Sequence, residues 1–294
     1  MMNTYQDLLA LAEQEARNTG IDINTALKEI LHYDILYALS QSPLGKQLVF
    51  QGGTALRLCY QGSRYSENLD FVCGTPETPA HMVVFKEILL QVMAERYGLD
   101  VSVKDPESVC FDSGELGVGR WIARVVVPRP DKSNKQVQKI KIEVVNIPSH
   151  DPVAMVLSRN YPGLAPGYDS IILRVSSLKE ILADKVVAVA GRDYLKARDL
   201  WDLNWLMSKQ VEIDYSMIGQ KLVDYNETDI FVPNMKQRLA TMRETDAIKA
   251  FEDEMSRFLP TSLQQQMAQV KNFSGSLMSS VAGYLEAVLK AYQV

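Results

Sequence analysis

The chain has 294 residues, of which 47% are hydrophobic and 23% are charged, and its formal net charge at pH 7 is −5. This composition suits one large or two modest globular domains with hydrophobic cores, and the acidic balance argues against broad electrostatic attraction to nucleic acid. No apolar run approaches the ~18–20 residues that a membrane helix needs, and the first residues lack the basic and apolar regions of a signal peptide. We therefore expect a soluble cytoplasmic protein without a membrane partner.

The cysteines indicate buried thiols rather than disulfides or a metal cluster. They are odd in number, widely spaced and set in apolar contexts, at Cys59, Cys73 and Cys110. This usage is typical of a reducing compartment. Because the sequence has no Cys-x-x-Cys and no paired His, we expect no Cys/His metal site, and the isolated histidines suggest no catalytic triad.

Apolar periodicity divides the chain into helices and strands. Two helices are predicted at residues 4–19, with Gly20 as a stop, and at 25–40. A third helix is predicted at 79–97, and strands at 69–73, 99–103, 121–127, 137–147 and 171–175. From Ser177 onward the sequence favours helices, with amphipathic segments near 214–225, 234–258 and 274–292 and breaks at Pro233, Pro260 and Gly275. A sheet with helices against it predicts an α+β fold.

The segment from residue 50 to residue 71 carries the strongest functional signal. An apolar run ends in Gly52-Gly53-Thr54, passes into a helix-like stretch, and leads through a polar turn to a short strand that carries Asp70. Two glycines let the backbone approach a ligand closely, and the start of the following helix favours an anion. Positions 68 and 70 share one strand face, where a carboxylate can hold Mg²⁺ against phosphates.

Two sequence blocks together resemble a known family. The first is Gly-Gly-Thr-Ala-Leu followed by Arg-x-Ser-Glu-x-Leu-Asp-Phe, within residues 52–71; the second is a helix with a central Lys185 followed by Arg-Asp-Leu-Trp-Asp-Leu at 198–203. The first block resembles motif I of the nucleotidyltransferase superfamily. Both blocks, in order and spacing over residues 45–210, more closely resemble the AbiEii/AbiGii toxin family of bacterial toxin–antitoxin systems.

The resemblance implies an enzyme that moves a nucleoside monophosphate from NTP to an acceptor with Mg²⁺, releasing pyrophosphate. In some relatives the acceptor is the 3′ end of tRNA, and a cognate antitoxin restrains the toxin. We therefore expect NTP, tRNA or another RNA, and an antitoxin as partners. Two alternatives stay open: a non-catalytic nucleotide- or partner-binding module with a degenerate metal site, and an NTP-dependent kinase.

The first block supplies the candidate nucleotide site. Asp70 is the first choice as a catalytic metal ligand, although a strand-end carboxylate that caps a turn is the competing interpretation. The nucleotide is expected at the glycine turn, where N–H groups and one hydroxyl come from Gly52, Gly53 and Thr54; a tight turn without a ligand is the alternative. The family's Arg-x-Ser corresponds to Arg64 and Ser66, and Arg64 could contact phosphate or fix the loop.

The chain departs from the family pattern at Asn68, where relatives usually have Asp. Asn can offer a carbonyl oxygen to Mg²⁺, but it brings no charge, and strand alternation directs Glu67 away from Asp70. Three interpretations of Asn68 stay open: an active enzyme that binds the metal more weakly, an enzyme that recruits another carboxylate, or a site that binds a ligand without turnover. By analogy with the superfamily, Glu143 on a neighbouring central strand is the candidate third metal ligand; the alternative is a surface Glu that pairs with the adjacent lysines.

The second block is expected to complete the site. By resemblance, Lys185 places a cation on the β- or γ-phosphate; the alternative is a Lys beside a buried helix face whose charged end reaches solvent. Asp199 and Asp202 are three residues apart and so share a face. The resemblance gives one of them, preferably Asp199, the task of orienting Lys185 or contacting the nucleotide or acceptor. The alternative is a helix-dipole interaction with a salt bridge to Arg192 or Arg198.

One basic segment opposes the acidic average. It contains a single acidic residue, Asp131, and five basic residues: Arg129, Lys132, Lys135, Lys139 and Lys141. It is interpreted either as a solvated hairpin tip or as a landing site for RNA phosphates.

Taken together, the blocks predict two domains. Residues 1–176 form a nucleotidyltransferase-like α+β domain with a mixed sheet and flanking helices. Residues 177–294 form a mainly helical domain that contributes Lys185 and Asp199 to the site.

Overall fold

The structure is a computed structural model that describes residues 4–74, 79–98, 101–104, 118–128, 135–164 and 167–292. The chain divides into two compact units, residues 1–175 and residues 176–294. This division lies next to the boundary that the sequence predicts, and the roles given to the two domains remain predictions. None of the helices in the described ranges combines the length and the apolar character of a membrane span.

Runs of apolar and β-branched residues form the strands of one mixed sheet. The strands are β1 (Val49–Gln51), β2 (Leu69–Val72), β3 (Val101–Lys104), β4 (Val118–Pro128), β5 (Lys135–Val145), β6 (Pro152–Val156) and β7 (Ile172–Ser176). Their order across the sheet is β3-β4-β5-β2-β1-β7-β6. The pairs β1/β2, β3/β4 and β4/β5 are antiparallel, whereas β2/β5 and β1/β7 are parallel. The sequence pattern does not predict β6, which is short and begins with proline, a residue usual only on edge strands.

One face of this sheet is buried. On β5, the side chains of Ile140, Ile142 and Val144 are at most 3% exposed, and the register sets Leu69 and Phe71 of β2 beside them. Because side chains alternate between the faces of a strand, Asp70 and Glu143 lie on the opposite face. Both are only half-buried there.

Four helices of the described residues belong to the first unit: α1 (Tyr5–Thr19), α2 (Ile23–Gln41), α3 (Gly52–Tyr60) and α4 (Pro79–Tyr97). The prediction of α1 is confirmed at both ends, because Thr4 and Asp7 form a capping box and Gly20 ends the helix at φ 70°. α2 packs against α1 and α4. It also covers the buried face of the sheet, where Gln138 of β5 donates a hydrogen bond to Asn24 at 2.9 Å.

A buried ion pair fixes α3, the helix that follows the glycine turn. Arg57 of α3 donates to Glu29 of α2 at 3.1 Å, and Glu29 is fully buried. Tyr161 donates its hydroxyl to the same carboxylate at 2.7 Å, and the Arg57 guanidinium lies 4.4 Å from the centre of the Tyr65 ring. With these charges paired and hydrogen-bonded, α3 is anchored to α2.

In the described residues the second unit is helical throughout: α5 (Leu178–Gly191), α6 (Ala197–Ser208), α7 (Tyr215–Asp224), α8 (Thr228–Thr241), α9 (Thr245–Met255), α10 (Thr261–Gln269) and α11 (Phe273–Ala291). The break predicted at Pro260 is confirmed, since Pro260 precedes α10. The predicted α+β class, with a mainly helical C-terminal part, is confirmed.

Two predicted breaks are wrong. Pro233 lies inside α8, where it forgoes one backbone hydrogen bond while Phe231, Met235 and Leu239 bury one helix face. Gly275 lies in the first turn of α11, and an added Cβ would collide with the side chain of Asn272. Packing thus outweighs the local preference of each residue. The segment expected as one helix at 234–258 is divided between α8 and α9.

Candidate functional site

The glycine turn brings the start of α3 against the carboxylate of Asp70. Gly52 has φ +77°, a left-handed conformation that glycine adopts without strain. A Cβ built on Gly52 would lie only 2.8 Å from Asp70 Oδ2. Gly52 is therefore required both by its backbone conformation and by the close approach of the carboxylate.

Arg64 supports this turn from within the protein. It is 4% exposed, its Nη1 donates to the backbone carbonyl of Tyr65 at 3.0 Å, and its guanidinium occupies the space that a Cβ on Gly53 would need. Of the two interpretations of Arg64, the structure displays the contact that fixes the loop. Ser66 is buried as well, at 6% exposure. Their contacts with phosphate remain predictions.

Thr54 ties α3 to the residue that precedes β2. Its side chain is fully buried, and its hydroxyl donates a short hydrogen bond to the backbone carbonyl of Asn68. The hydroxyl thus holds the helix start and the acidic strand together. Its predicted contact with a triphosphate is not tested by this arrangement.

Polar side chains from three neighbouring strands form a row across the sheet, which we call the acidic row. In the strand register Gln51 of β1 is opposite Asp70 of β2, and Asp70 is beside Glu143 of β5. Residues paired in this way project from the same face. The expectation that Glu143 lies on a strand next to Asp70 is confirmed, whereas its role as a metal ligand stays a prediction.

Glu67 and Asn68 are the two residues before β2. Glu67 forms a salt bridge of 2.9 Å with Lys28 of α2, which agrees with the prediction that it is directed away from Asp70. Asn68 is half-buried and lies immediately before β2. The described residues contain no group of three or more His, Cys, Asp or Glu side chains that could hold a metal ion. A divalent cation at the acidic row would therefore complete its coordination with other oxygens, such as those of water, substrate phosphates or amides.

A basic stretch continues from Glu143 along the same face. Lys139 and Lys141 of β5 are exposed, and Arg124 of β4 is paired directly with Lys139. The Nε of Arg124 is buried and has no acceptor among the residues that the structure describes. From the predicted basic segment, Lys135 begins β5, while Arg129 and Lys132 lie outside the described residues.

The second unit gathers the residues of the other sequence block into a separate ion cluster. Lys185 of α5 lies 2.6 Å from Asp199 and 2.8 Å from Asp202, both on α6. Arg192 donates to the other oxygen of Asp199 at 2.8 Å, whereas Arg198 pairs with Glu254. The predicted contact of Asp199 with Lys185 is confirmed, and so is the alternative contact with Arg192.

The pKa of Asp199 is set by its basic neighbours. Burial by itself raises the pKa of Asp199, but Lys185, Arg192 and Lys196 outweigh burial and hold that pKa well below its usual range. Burial lowers the pKa of Lys196 to about 8. Asp199 therefore remains ionised and suits the positioning of a cation better than proton transfer.

A second buried lysine was missed by sequence reasoning. Lys221 of α7 is fully buried and lies 2.6 Å from Glu180 and 3.3 Å from Asp184, both on α5. Two like charges four residues apart on a helix repel each other. The spacing of Glu180 and Asp184 was thus a signal for a cation from elsewhere in the fold.

Comparisons with known proteins identify the family of this chain. A family model described as "Nucleotidyl transferase AbiEii toxin, Type IV TA system" matches residues 34–276. The chain belongs to the AbiEii family. It is accordingly a nucleotidyltransferase toxin of the toxin–antitoxin class, and membership in AbiEii implies an NTP substrate and a cognate antitoxin.

A solved structure shares the fold of this AbiEii protein. MenT4, the nucleotidyltransferase toxin Rv2826c from Mycobacterium tuberculosis H37Rv, is 19% identical with a TM-score of 0.52, over 97% of this chain and 99% of that one. JHP933 from Helicobacter pylori is 20% identical with a TM-score of 0.44, over 93% of this chain and 100% of that one. A search of curated proteins found no match.

Proposed function

We propose that this AbiEii toxin transfers a nucleoside monophosphate from NTP to an RNA acceptor, with tRNA 3′ ends as the first candidates, and releases pyrophosphate. The observation that carries the proposal is the acidic row, in which Asp70 is paired with Glu143 and lies against Gly52 at the start of α3. Phosphoryl-transfer sites need positioned metal ions and positive charge more than covalent chemistry from the protein. A helix start beside two carboxylates provides both requirements.

The nucleotide would bind with its triphosphate at the start of α3. The side chain of Gln51, the N-cap residue of α3, makes no capping hydrogen bond, so the N–H groups of this helix start are suited to phosphate oxygens. Asp70, Glu143 and the amide of Asn68 offer the oxygen ligands that Mg²⁺ prefers. Bound there, Mg²⁺ would neutralise phosphate charge and orient the reacting group.

Lys185 is proposed as the cation for the β- or γ-phosphate. This role follows from the match with the AbiEii pattern, and the ion cluster supports it, because Asp199 and Asp202 fix the ammonium group from two sides. A side chain held in this way loses little further freedom when it meets a ligand. Asp199 and Asp202 are then positioning residues.

The acceptor would lie along the basic stretch of Lys139, Lys141 and Arg124. These residues share the sheet face of Glu143, so RNA phosphates bound there would lead toward the acidic row. The buried Nε of Arg124 also lacks an acceptor within the described part of the chain, as expected for a group that meets an anion. We place this reaction in the cytoplasm, where tRNA and an antitoxin made with the toxin are both present.

The decisive experiment compares Asp70→Asn with Glu67→Gln. Both remove one negative charge from the same short motif, but Glu67 pairs with Lys28 rather than joining the acidic row. Purified protein is incubated with each α-labelled NTP, Mg²⁺ and total tRNA. We expect labelled RNA from wild type and Glu67→Gln, and a loss of ~10²–10³ in rate for Asp70→Asn.

Three results would contradict the proposal. Equal labelling by Asp70→Asn and wild type would remove Asp70 from the reaction. Transfer of label from γ-labelled NTP would identify a kinase. Nucleotide binding without any transfer, under every nucleotide and metal, would identify a binding module.

The RNA path has its own test. Lys139→Glu together with Lys141→Glu should weaken RNA binding and reduce the salt dependence, since each lost phosphate contact lowers the slope by about 0.7 for single strands. The control is Lys236→Glu with Lys249→Glu, which makes the same charge change at exposed helix positions. Equal RNA affinity and equal salt dependence in the two double variants would show that the basic stretch is a solvated surface and not an RNA-binding site.

A further inference from the structure

Gln51 is an unusual residue at the end of β1. It is 8% exposed, and its side-chain oxygen Oε1 has no hydrogen-bond donor among the described residues. Burying an acceptor without a donor costs stability, and an apolar residue of the same size would avoid this cost. An orphaned buried oxygen of this kind calls for a ligand or another explanation.

The position of Gln51 indicates what that ligand is. Gln51 is directly opposite Asp70 in the antiparallel pair β1/β2, and residues paired in this way have Cβ atoms about 4.5–5.5 Å apart. Asp70 is in turn beside Glu143. The buried oxygen therefore belongs to the acidic row, with Asp70 on the adjacent strand and Glu143 on the strand beyond it.

Two carboxylates and one amide oxygen suit a divalent cation. Hard cations accept the side-chain carbonyl of Asn or Gln together with carboxylates. A divalent cation would suit Oε1 better than a neutral N–H donor, because a full charge interacts more strongly with a carbonyl oxygen and the neighbouring Asp70 carboxylate than a dipole does. Where relatives usually have a further Asp, this chain has the uncharged Asn68. An additional oxygen ligand would compensate in part for the lost carboxylate.

We propose that Gln51 Oε1 is an oxygen ligand of the divalent cation held by Asp70 and Glu143. This inference rests on the proposed function, because it assigns a further residue to the same site. It also explains the buried orphan: the oxygen is kept at a cost in stability because it is preorganised for the cation. Gln51 is then a further metal ligand, and its oxygen suits a hard divalent cation.

The test measures metal binding directly, without nucleotide. Mn²⁺, used as the probe for the cation, is titrated into the full-length protein at pH 8 while free Mn²⁺ is followed by electron paramagnetic resonance. Three variants are compared with wild type: Gln51→Met, Gln51→Glu and Gln138→Met. Gln138 is the matched control, because it is equally buried but donates its amide to Asn24 on the other sheet face.

Gln51→Met should weaken Mn²⁺ binding by roughly tenfold or more and should raise the urea midpoint of unfolding, since the orphaned oxygen is gone. Gln51→Glu should tighten Mn²⁺ binding because a carboxylate replaces the amide. Gln138→Met should lower the urea midpoint and leave Mn²⁺ binding unchanged.

Unchanged Mn²⁺ affinity in Gln51→Met and Gln51→Glu overturns the inference. If Asp70→Asn nevertheless weakens Mn²⁺ binding, the proposed function is retained, and only the assignment of Gln51 as a metal ligand is rejected. If wild type neither binds Mn²⁺ nor releases pyrophosphate from NTP, both proposals fall together.

Discussion

Replacing Lys185 with Met should abolish activity and also lower stability, and Lys221 allows these two effects to be separated. Each substitution removes a buried ammonium group that pairs with two carboxylates. The nitrogen–oxygen distances are 2.6 and 2.8 Å for Lys185 and 2.6 and 3.3 Å for Lys221. Removing one partner of a buried ion pair costs about 3–5 kcal/mol, because an uncompensated charge remains. For Lys185→Met we expect the lower end of this range, because Arg192 still pairs with Asp199.

The catalytic effects should differ. Lys185→Met removes the proposed phosphate-binding cation and should reduce the rate of pyrophosphate release by ~10²–10³. Lys221→Met, which lowers stability at least as much, should keep the wild-type rate as long as the protein is folded. Urea unfolding followed by circular dichroism gives the stabilities, and the rates are measured at a temperature where both variants are native.

Two outcomes would refute this reasoning. If Lys221→Met lost activity to the same extent as Lys185→Met, reduced stability alone would account for both. If folded Lys185→Met retained the wild-type rate, Lys185 would be a structural lysine and the match with the AbiEii pattern would not extend to its role.

Two further predictions concern residues beside the acidic row. Gly52→Ala should lower the free energy of unfolding by about 1–2 kcal/mol because of the left-handed backbone. It should also weaken Mn²⁺ binding, because the new Cβ would lie 2.8 Å from Asp70 Oδ2. The control is Gly98→Ala, at φ +61° with nothing within 4 Å of the added Cβ, which should show the backbone cost alone. Equal Mn²⁺ binding in the two alanine variants would contradict the close approach at Gly52. Asn68→Asp should lower the Mg²⁺ concentration for half-maximal pyrophosphate release, because carboxylate count controls hard-cation affinity; an unchanged Mg²⁺ titration would show that Asn68 is not at the metal.

Local signals in the sequence were sufficient for much of the fold. The capping residue Thr4 and the terminal Gly20 define α1, and the pair Gly52-Gly53 marks the turn into α3. These features depend on neighbours within a few residues, where backbone conformation and capping chemistry act directly. The same locality made Asp70 recognisable as part of one motif.

Features that depend on distant neighbours could not be predicted in the same way. The sequence predicts a break at Pro233, although buried side chains before and after it hold α8 together. The pairing of Lys221 with Glu180 joins two helices, and the spacing of Glu180 and Asp184 indicates a cation without indicating which helix provides it. Gln51 shows the same difficulty, because its unpaired oxygen becomes visible only when β1, β2 and the surrounding residues are assembled.

The acidic row also constrains the order in which a working toxin appears during synthesis. Its carboxylates, Asp70 and Glu143, come from parallel strands that are distant in sequence, and such pairings form late because a long loop must close first. At translation rates of roughly 5–20 residues per second, about 4–15 s separate the synthesis of the two residues. A nascent chain emerging from the ribosome therefore contains the glycine turn well before it contains the carboxylate pair. With the roles proposed for Asp70 and Glu143, we expect no activity until β5 has joined the sheet.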